Sequence, residues 1–353
     1  MIKREKSPYK PINAIIFYKV TNVEKPAAEK ITKISLKTIE KRRRFIYNMN
    51  ICGEYNSAYS EKQKQKTEII MKKIAISLDS ACDLSKELIE KYDFHVVSFG
   101  VTMGDRFFYD GEVSPLEIFE YADKNKTLPK TNAVNEEAFT EHFEKILKDY
   151  DAIIHFDISS EMSSAYANAV NAAKKFENVY VVDSRTLSTA ISLEAIYAKK
   201  LTETMDDPAE IVKAVEKRIP SVQTSFIIER LDYLYKGGRC SGLALLGANL
   251  LRIRPEIEVI GGTMKNTEKF RGKMTDCVTK YCRATLEKYN TPDKSVIFIT
   301  HSVAEPEMVE AARAVVAEYG FENVYETTAG CTVSSHCGKN TLGILYINDG
   351  ENA

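Results

Sequence analysis

Clusters of hydroxyl and acidic side chains follow several short apolar segments of this chain. Residues 159–166 read SSEMSSAY and follow the apolar run 151–158, so four serines fall within six positions. A second cluster, Asp79-Ser80-Ala81-Cys82-Asp83, follows the apolar run 73–78. A single Ser or Asp in such a place is most simply a helix cap. Four serines exceed what one cap needs, and a hydroxyl-lined helix N-terminus favours an anion.

A glycine-rich segment and two histidines could supply cations and donors to the same anion. The two glycines of the segment Lys236-Gly237-Gly238-Arg239 permit a close approach of the backbone to a ligand. The guanidinium of Arg239 could bind a carboxylate or a phosphate with two N–H groups. A tight turn with a solvated arginine is the alternative. His301 ends a predicted strand, and His336 lies in the segment SSHCG. The spacing of Cys331, His336 and Cys337 matches no common zinc site, so we expect no metal.

The sequence lacks the signatures of common catalytic and nucleotide-binding sites. It contains no G-x-S-x-G elbow, no G-x4-G-K-[ST] loop and no G-x-G-x-x-G fingerprint, so those classes lose their specific support. A serine hydrolase that uses Ser163 or Ser160 with His301 and an aspartate is the alternative kept open. We otherwise expect a binding protein that has no catalytic residues and no cofactor.

Short apolar segments alternate with helical patterns from Met71 onward. This alternation predicts an α/β fold with a mostly parallel sheet in its first part. We predict two α/β domains, 71–219 and 220–353, with the boundary near two prolines. The predicted strands are 73–78, 95–101, 151–158, 179–182, 224–228, 295–300, 323–327 and 342–347, with a hairpin around Gly261-Gly262. The predicted helices are 84–92, 115–123, 136–148, 163–176, 188–204, 231–236, 243–251, 272–289 and 306–319.

The first 70 residues differ from the rest in charge. They hold 12 Lys and 4 Arg against 7 Glu, a net charge of +9, whereas the remainder carries −10 within a total of −1 over 353 residues. Three interpretations of this basic extension compete: a disordered segment, a start-site artefact upstream of Met71, or a tail for nucleic acid or anionic lipid. The acidic main body argues against a nucleic-acid partner.

Cysteine usage and hydropathy indicate where the protein resides. Seven cysteines form no C-x-x-C pair, which is typical of reduced thiols, and no secretory signal is visible at the N-terminus. No apolar run reaches about 18 residues, the length of a membrane span. We therefore expect a cytoplasmic protein without stable membrane insertion, for which transient membrane contact is possible.

Taken in chain order, these landmarks resemble the DegV family of bacterial fatty-acid-binding proteins, which includes the binding subunits of fatty acid kinase. The resemblance covers residues 72–348. It rests on D-S-x-x-D at 79–83, Y-D-G at 109–111, P-K-T at 129–131, SSEMSSAY at 159–166, V-D-S at 182–184, K-G-G-R at 236–239, His301, and H-C-G at 336–338.

The resemblance implies a long-chain fatty acid buried between or beneath two α/β domains. Thr131 and Ser163 would hold its carboxylate with their hydroxyls, aided by the N–H groups of Ser163 and Ser164. Arg239, His301 and His336 would surround the mouth of the pocket. The resemblance also implies a fatty acid kinase catalytic subunit as a partner, which would phosphorylate the bound acyl carboxylate. The apolar stretches 243–246 and 250–251 would line the tail channel or pack in the core.

This chain departs from the family pattern at several positions of the proposed site. Ser164 and Ala165 replace the Gly-Thr of the serine motif, and Asn132-Ala133 replaces Ser-Gln. Lys339-Asn340 replaces the final Pro-Gly. Loss of glycine at 164 and 340 removes easy access to positive φ, so we expect altered head-group geometry.

Overall fold

The computed structural model describes residues 72–239 and 253–350 of the chain. The strands in these ranges are β1 (Ile74–Asp79), β2 (Phe94–Val97), β3 (Gly100–Met103), β4 (Arg106–Tyr109), β5 (Lys130–Asn132), β6 (Ala152–Asp157), β7 (Val179–Asp183), β8 (Val222–Ile227), β9 (Ile253–Ile260), β10 (Thr263–Arg271), β11 (Val296–Ser302), β12 (Asn323–Thr328) and β13 (Thr341–Ile347). The α-helices are α1 (Lys86–Tyr92), α2 (Pro115–Asn125), α3 (Glu136–Ile146), α4 (Ala165–Ala173), α5 (Thr189–Thr202), α6 (Pro208–Arg218), α7 (Leu231–Gly237), α8 (Met274–Lys288), α9 (Pro306–Ala317) and α10 (Cys331–Cys337).

The first sheet is parallel throughout and has the strand order β2-β1-β6-β7. Every residue of β1 and β6 is buried, as expected for parallel strands covered on both faces. The chain order reverses between β1 and β6, so the crevice at their carboxyl ends is the favoured place for a ligand. The serine-rich segment 159–164 leaves β6 at this crevice.

The second large sheet is mixed, with the strand order β10-β9-β8-β13-β11-β12. Its β11–β12 pair is parallel, and its other pairs are antiparallel. The predicted hairpin around Gly261-Gly262 is present as β9 and β10. Both glycines have positive φ, at 61° and 86°, which that turn requires.

A small third sheet, β4-β3-β5, contains two strands that were not predicted, β4 and β5. Residues 95–101 divide between β2 in the parallel sheet and β3 in the small antiparallel sheet. Phe99 lies at the break, where its N–H donates to Ser80 Oγ at 3.0 Å and its carbonyl oxygen accepts from the Asp110 N–H. These bonds replace ladder bonds and allow the chain to change sheets.

One hydrophobic core connects the first and second sheets. Its members include Ile76 and Ile154 from the parallel sheet and Phe226 and Ile257 from the mixed sheet. The expected α/β fold with a parallel first sheet is confirmed. The division at 219/220 stays a prediction, and the predicted basic extension and the apolar stretches 243–246 and 250–251 lie outside the described residues. Among the described helices, none has the length and apolar character needed to cross a membrane.

Candidate ligand pocket at the strand ends

A cavity of about 220 Å³ lies beside the carboxyl end of β6. It brings together five of the six predicted site residues, namely Thr131, Ser163, Ser164, Arg239 and His336. The other lining residues are Phe99, Ala133, Ile158, Met162, Leu187, Met264, Thr332, Val333 and Cys337. The polar residues and the apolar residues of one cavity thus match the two ends of an amphipathic ligand.

Thr131 reaches the cavity from the small sheet. It lies at the centre of β5, between the exposed Lys130 and Asn132, because successive side chains of a strand point to opposite faces. Its Oγ1 lies 2.8 Å from His336 Nε2, although the two residues are 205 positions apart in sequence. This contact places a hydroxyl and an imidazole side by side in the wall of the cavity.

His336 lies in α10 against the Gly237 backbone. A Cβ atom at position 237 would lie 2.5 Å from His336 Nδ1, so only glycine permits this approach. Burial, and next the charge of Arg239, lower the pKa of His336 to about 4, so the ring is neutral near pH 7. A neutral ring with its proton on Nε2 donates to Thr131 Oγ1, which leaves the Thr131 hydroxyl proton for an anion in the cavity.

The serine pair lies at the start of α4. Ser163 Oγ accepts from the Ala165 N–H at 3.1 Å, and its own hydroxyl proton can still be donated. The Ser163 N–H donates to the Ser159 carbonyl oxygen at 3.2 Å, so this predicted donor already has a partner. Ser164 is the N-cap residue with φ −77° and ψ −3° and makes no side-chain cap bond. Serine in place of the family glycine therefore needs no positive φ here.

His301 lies apart from the other predicted residues. It lines a smaller inner void of about 30 Å³. Its Nδ1 accepts from the Ala304 N–H at 3.3 Å, and its Nε2 lies 3.5 Å from Glu326 Oε1. The inner void and the main cavity share the apolar side chains of Leu187, Val333 and Cys337. The two voids thus adjoin through an apolar wall, with His301 at the inner one.

A family model described as "Uncharacterised protein, DegV family" matches residues 73–349. This chain belongs to the DegV family. It is 30% identical over 283 residues to a DegV domain-containing protein of Clostridium acetobutylicum, covering 78% of this chain and 99% of that one. It is 29% identical over 282 residues to a Thermotoga maritima protein named as a fatty acid-binding protein, with 77% and 96% covered. A solved Thermotoga maritima structure described as revealing a fatty acid binding function has a TM-score of 0.68 at 28% identity and covers 78% of this chain and 99% of its own.

Thr332 is a pocket residue that the sequence did not single out in this DegV protein. It follows β12, in the first turn of α10, and its buried Oγ1 has no hydrogen-bond partner in the described part of the chain. The sequence signal that could have identified Thr332 is its position after a predicted strand. Other polar residues of the site also follow predicted strands. A seven-residue helix is too short to show a clear helical period.

The aspartates of the D-S-x-x-D and Y-D-G segments hold the backbone around the pocket. Asp79 accepts from the Ala81 and Ile158 N–H groups at 2.8 and 2.6 Å. Asp83 accepts from the Gly330 N–H at 2.7 Å. Burial raises the pKa of both carboxyl groups. These contacts fix the exit of β6 and the start of α10.

Asp110 anchors α10, which carries Thr332 and His336. Its two oxygens accept from the Cys331 and Thr332 N–H groups at 2.7 and 3.1 Å, and Ser80 Oγ donates to it at 3.3 Å. These bonds join the small sheet to the second half of the chain. Asp110 is therefore a positioning residue for the polar end of the pocket.

We predict that Asp110→Ala lowers the free energy of unfolding by about 2 kcal/mol, because two helix amides lose a charged acceptor. Urea unfolding measures this change. Asp105→Ala, in the exposed turn between β3 and β4, is the matched control and should change stability by less than about 0.5 kcal/mol. Equal stabilities of the two variants would show that Asp110 has no anchoring role.

The serines considered as hydrolase nucleophiles make no hydrogen bond to a histidine in the described ranges. Ser160 Oγ donates to Asp183 Oδ2 at 2.5 Å, and Ser163 Oγ accepts a hydrogen bond from the Ala165 N–H. The serine that does contact histidines is Ser77, whose Oγ lies 2.8 Å from His142 Nε2 and 2.9 Å from His155 Nδ1. Ser77 is completely buried inside β1. Within the described part of the chain, neither Ser160 nor Ser163 is thus paired with a histidine base at the pocket.

Proposed function

We propose that the protein binds a long-chain fatty acid, with its carboxylate at Thr131, Ser163 and Ser164 and its tail toward the inner void. The observation that carries this proposal is that the hydroxyl-bearing residues Thr131 and Ser163 line one cavity. This cavity lies next to an apolar wall that it shares with a second void. Arg239 and His336 lie at the same polar end. Relatives that are named for fatty acid binding, and that match this chain over nearly their whole length, support the ligand class.

The energetics of such a ligand agree with the two ends of the cavity. A C16–C18 tail carries on the order of 15 methylenes, each contributing about 0.8 kcal/mol when buried. The carboxylate would cost several kcal/mol if it were buried without partners. The two hydroxyls and the Arg239 charge offset this cost. Met162 and Met264 line the cavity, and their unbranched side chains repack readily around a tail.

We further propose that the protein presents the carboxylate to a fatty acid kinase and performs no catalysis itself. This role agrees with a sequence that has no phosphate-binding loop. A cytoplasmic location is part of the proposal. It agrees with the free, buried thiols of Cys82, Cys277, Cys282, Cys331 and Cys337.

Native mass spectrometry of the purified protein tests the proposed ligand. We expect an adduct with the mass of a C16 or C18 fatty acid, or uptake of added hexadecanoate by lipid-stripped protein at one molecule per chain. A protein that carries no acyl adduct and takes up none would refute the proposal. Stoichiometric labelling of Ser160 or Ser163 by a fluorophosphonate would favour the hydrolase instead.

A further inference from the structure

A cleft of about 490 Å³ opens inside the mixed sheet, between the start of β8 and the end of β9. The β8–β9 ladder ends at the Ser225–Glu258 pair, although β8 begins at Val222 and β9 continues to Ile260. The two strands therefore diverge beyond this pair. Of the described residues, none lines both this strand cleft and the main cavity, and Thr224 is the one that the strand cleft shares with the inner void.

Contacts of the β9–β10 hairpin tip with the first sheet hold the strand cleft open. Ser159 Oγ donates to the Gly262 carbonyl oxygen at 2.8 Å, and Arg185 Nη2 donates to the Gly261 carbonyl oxygen. A Cβ atom at position 262 would lie 2.7 Å from Ser159 Oγ, so this approach requires glycine. Since the two donors directly follow β6 and β7, the hairpin tip is fixed to a rigid sheet. The cleft is thus formed without a ligand, as small-molecule sites usually are.

The floor of the strand cleft contains a buried amide oxygen without a partner. Gln223 is 4% exposed, and its Nε2 donates to Ser225 Oγ at 2.7 Å. The Tyr281 hydroxyl donates to the Ser225 carbonyl oxygen, so Ser225 Oγ can donate its own proton to Tyr281 Oη and accept from Gln223. Gln223 Oε1 then points away from Ser225, and it has no hydrogen-bond partner in the described part of the chain. Because a buried acceptor without a partner is costly, a ligand that donates to this oxygen would be stabilised.

A second side-chain amide supplies a donor on the same face of the sheet. Asn348 lines the strand cleft, and its Oδ1 accepts from the Thr291 N–H at 3.0 Å. Its Nδ2 has no partner among the residues that the structure describes. Gln223 pairs with Tyr346 in the β8–β13 ladder, which the bond from the Asn348 N–H to the Ser221 carbonyl oxygen extends. Gln223 and Asn348 are therefore diagonal neighbours, a relation that places side chains on one face at about 7–8 Å.

The charged side chains that line the strand cleft already have partners. Arg185 forms ion pairs with Glu161 and Asp183, and Glu258 forms one with Lys288 at 2.6 Å. An ionic ligand would therefore have to compete with these pairs for its counter-charge. The groups left without partners, an amide oxygen and an amide NH₂, are neutral. The cleft consequently favours an uncharged polar ligand.

We propose that the strand cleft binds a small neutral molecule through a carboxamide group, as found in a short peptide or in a pyrimidine base. A carboxamide carries an N–H donor and a carbonyl acceptor, which complement Gln223 Oε1 and Asn348 Nδ2. The volume of the cleft lies within the range of about 300–1,000 Å³ that is typical of small-molecule sites. Apolar surface for the rest of the ligand comes from Ile219, Pro220, Val222, Val259, Ile260 and Tyr289.

The test titrates the full-length protein with uracil and with N-acetylalanine methylamide, followed by NMR of the labelled protein. We expect saturable shifts of amide signals from residues 221–224 and 258–262 with at least one of the two probes. Gln223→Leu removes the free acceptor and should weaken binding of that probe by about fivefold, the effect of one neutral hydrogen bond. A response to uracil alone assigns the site to a base, and a response to the methylamide alone assigns it to a peptide.

A surface variant keeps the test valid if Gln223→Leu fails to fold. Ile260 is 42% exposed at the rim of the strand cleft, so Ile260→Trp should block the cleft and weaken binding by at least fivefold. Lys265→Trp is the matched control, because Lys265 is exposed on β10 and does not line the cleft. It should bind the probe as the wild type does. The proposal is overturned if neither probe shifts the cleft signals at millimolar concentration, or if Ile260→Trp and Lys265→Trp bind equally well.

Discussion

Ala133→Phe should lower the affinity for hexadecanoate by about 3 kcal/mol or more, close to loss of detectable binding. Ala133 lines the cavity directly after β5, and a benzyl group there would occupy space that the proposed tail needs. Exclusion of about four methylenes from the cavity accounts for a loss of this size at about 0.8 kcal/mol each. Displacement of a fluorescent fatty acid from lipid-stripped protein measures the affinity.

Ala138→Phe is the matched control for this substitution. Ala138 is also partly buried against the main core, but it lies in α3 and does not line the cavity. Both variants add the same group, so overpacking should cost each of them a similar 1–3 kcal/mol of stability. Hexadecanoate binding that is equally strong in both folded variants would place the tail elsewhere.

The parallel sheet could be predicted because its signals are local. β1 and β6 are short, mostly apolar segments that are buried along their whole length, and a polar segment follows each of them closely. Parallel strands end at one edge, so the residues after them must lie near one another. This rule alone places the serine-rich segment at the crevice beside β1. Its limit is visible at His301, which also ends a strand but lies at the inner void.

The other wall of the pocket depends on contacts that no local pattern contains. β5 has three residues and α10 has seven, which are too few to show a period. Their meeting at the Thr131–His336 contact joins positions 205 residues apart and requires the glycine at 237. The family pattern named both residues, but their hydrogen bond and the anchoring by Asp110 become visible only in the folded chain.

The two lost glycines of the family pattern, at positions 340 and 164, have different consequences for the backbone. Asn340 adopts φ 61°, so the left-handed conformation expected of the missing glycine is present. Asparagine tolerates it better than most residues do. Its side chain also accepts from the Glu305 N–H and donates to Glu229 Oε2, at 3.2 and 2.6 Å. Backbone geometry is thus retained at 340, whereas at 164 the chain stays in the ordinary helical region.

Thr131→Val should weaken hexadecanoate binding by about 2–3 kcal/mol, because the carboxylate loses a hydroxyl donor. Valine is close to threonine in shape, but it also leaves His336 Nε2 without its partner.

Ser163→Ala should weaken hexadecanoate binding by about 1–3 kcal/mol, because the carboxylate again loses a hydroxyl donor. This substitution also removes the acceptor of the Ala165 N–H. The same displacement measurement reports both changes.

Two comparisons separate head-group recognition from damage to the fold. Thr131→Ser keeps the hydroxyl and should restore most of the affinity that Thr131→Val loses. Hexadecanol has the same tail length without a charge, so its binding should change by less than about 1 kcal/mol in the valine variant, in line with a neutral hydrogen bond. If both ligands weaken equally, Thr131 shapes the cavity without binding the carboxylate. If neither weakens, the carboxylate lies away from β5, and the anion must instead be sought nearer to Arg239.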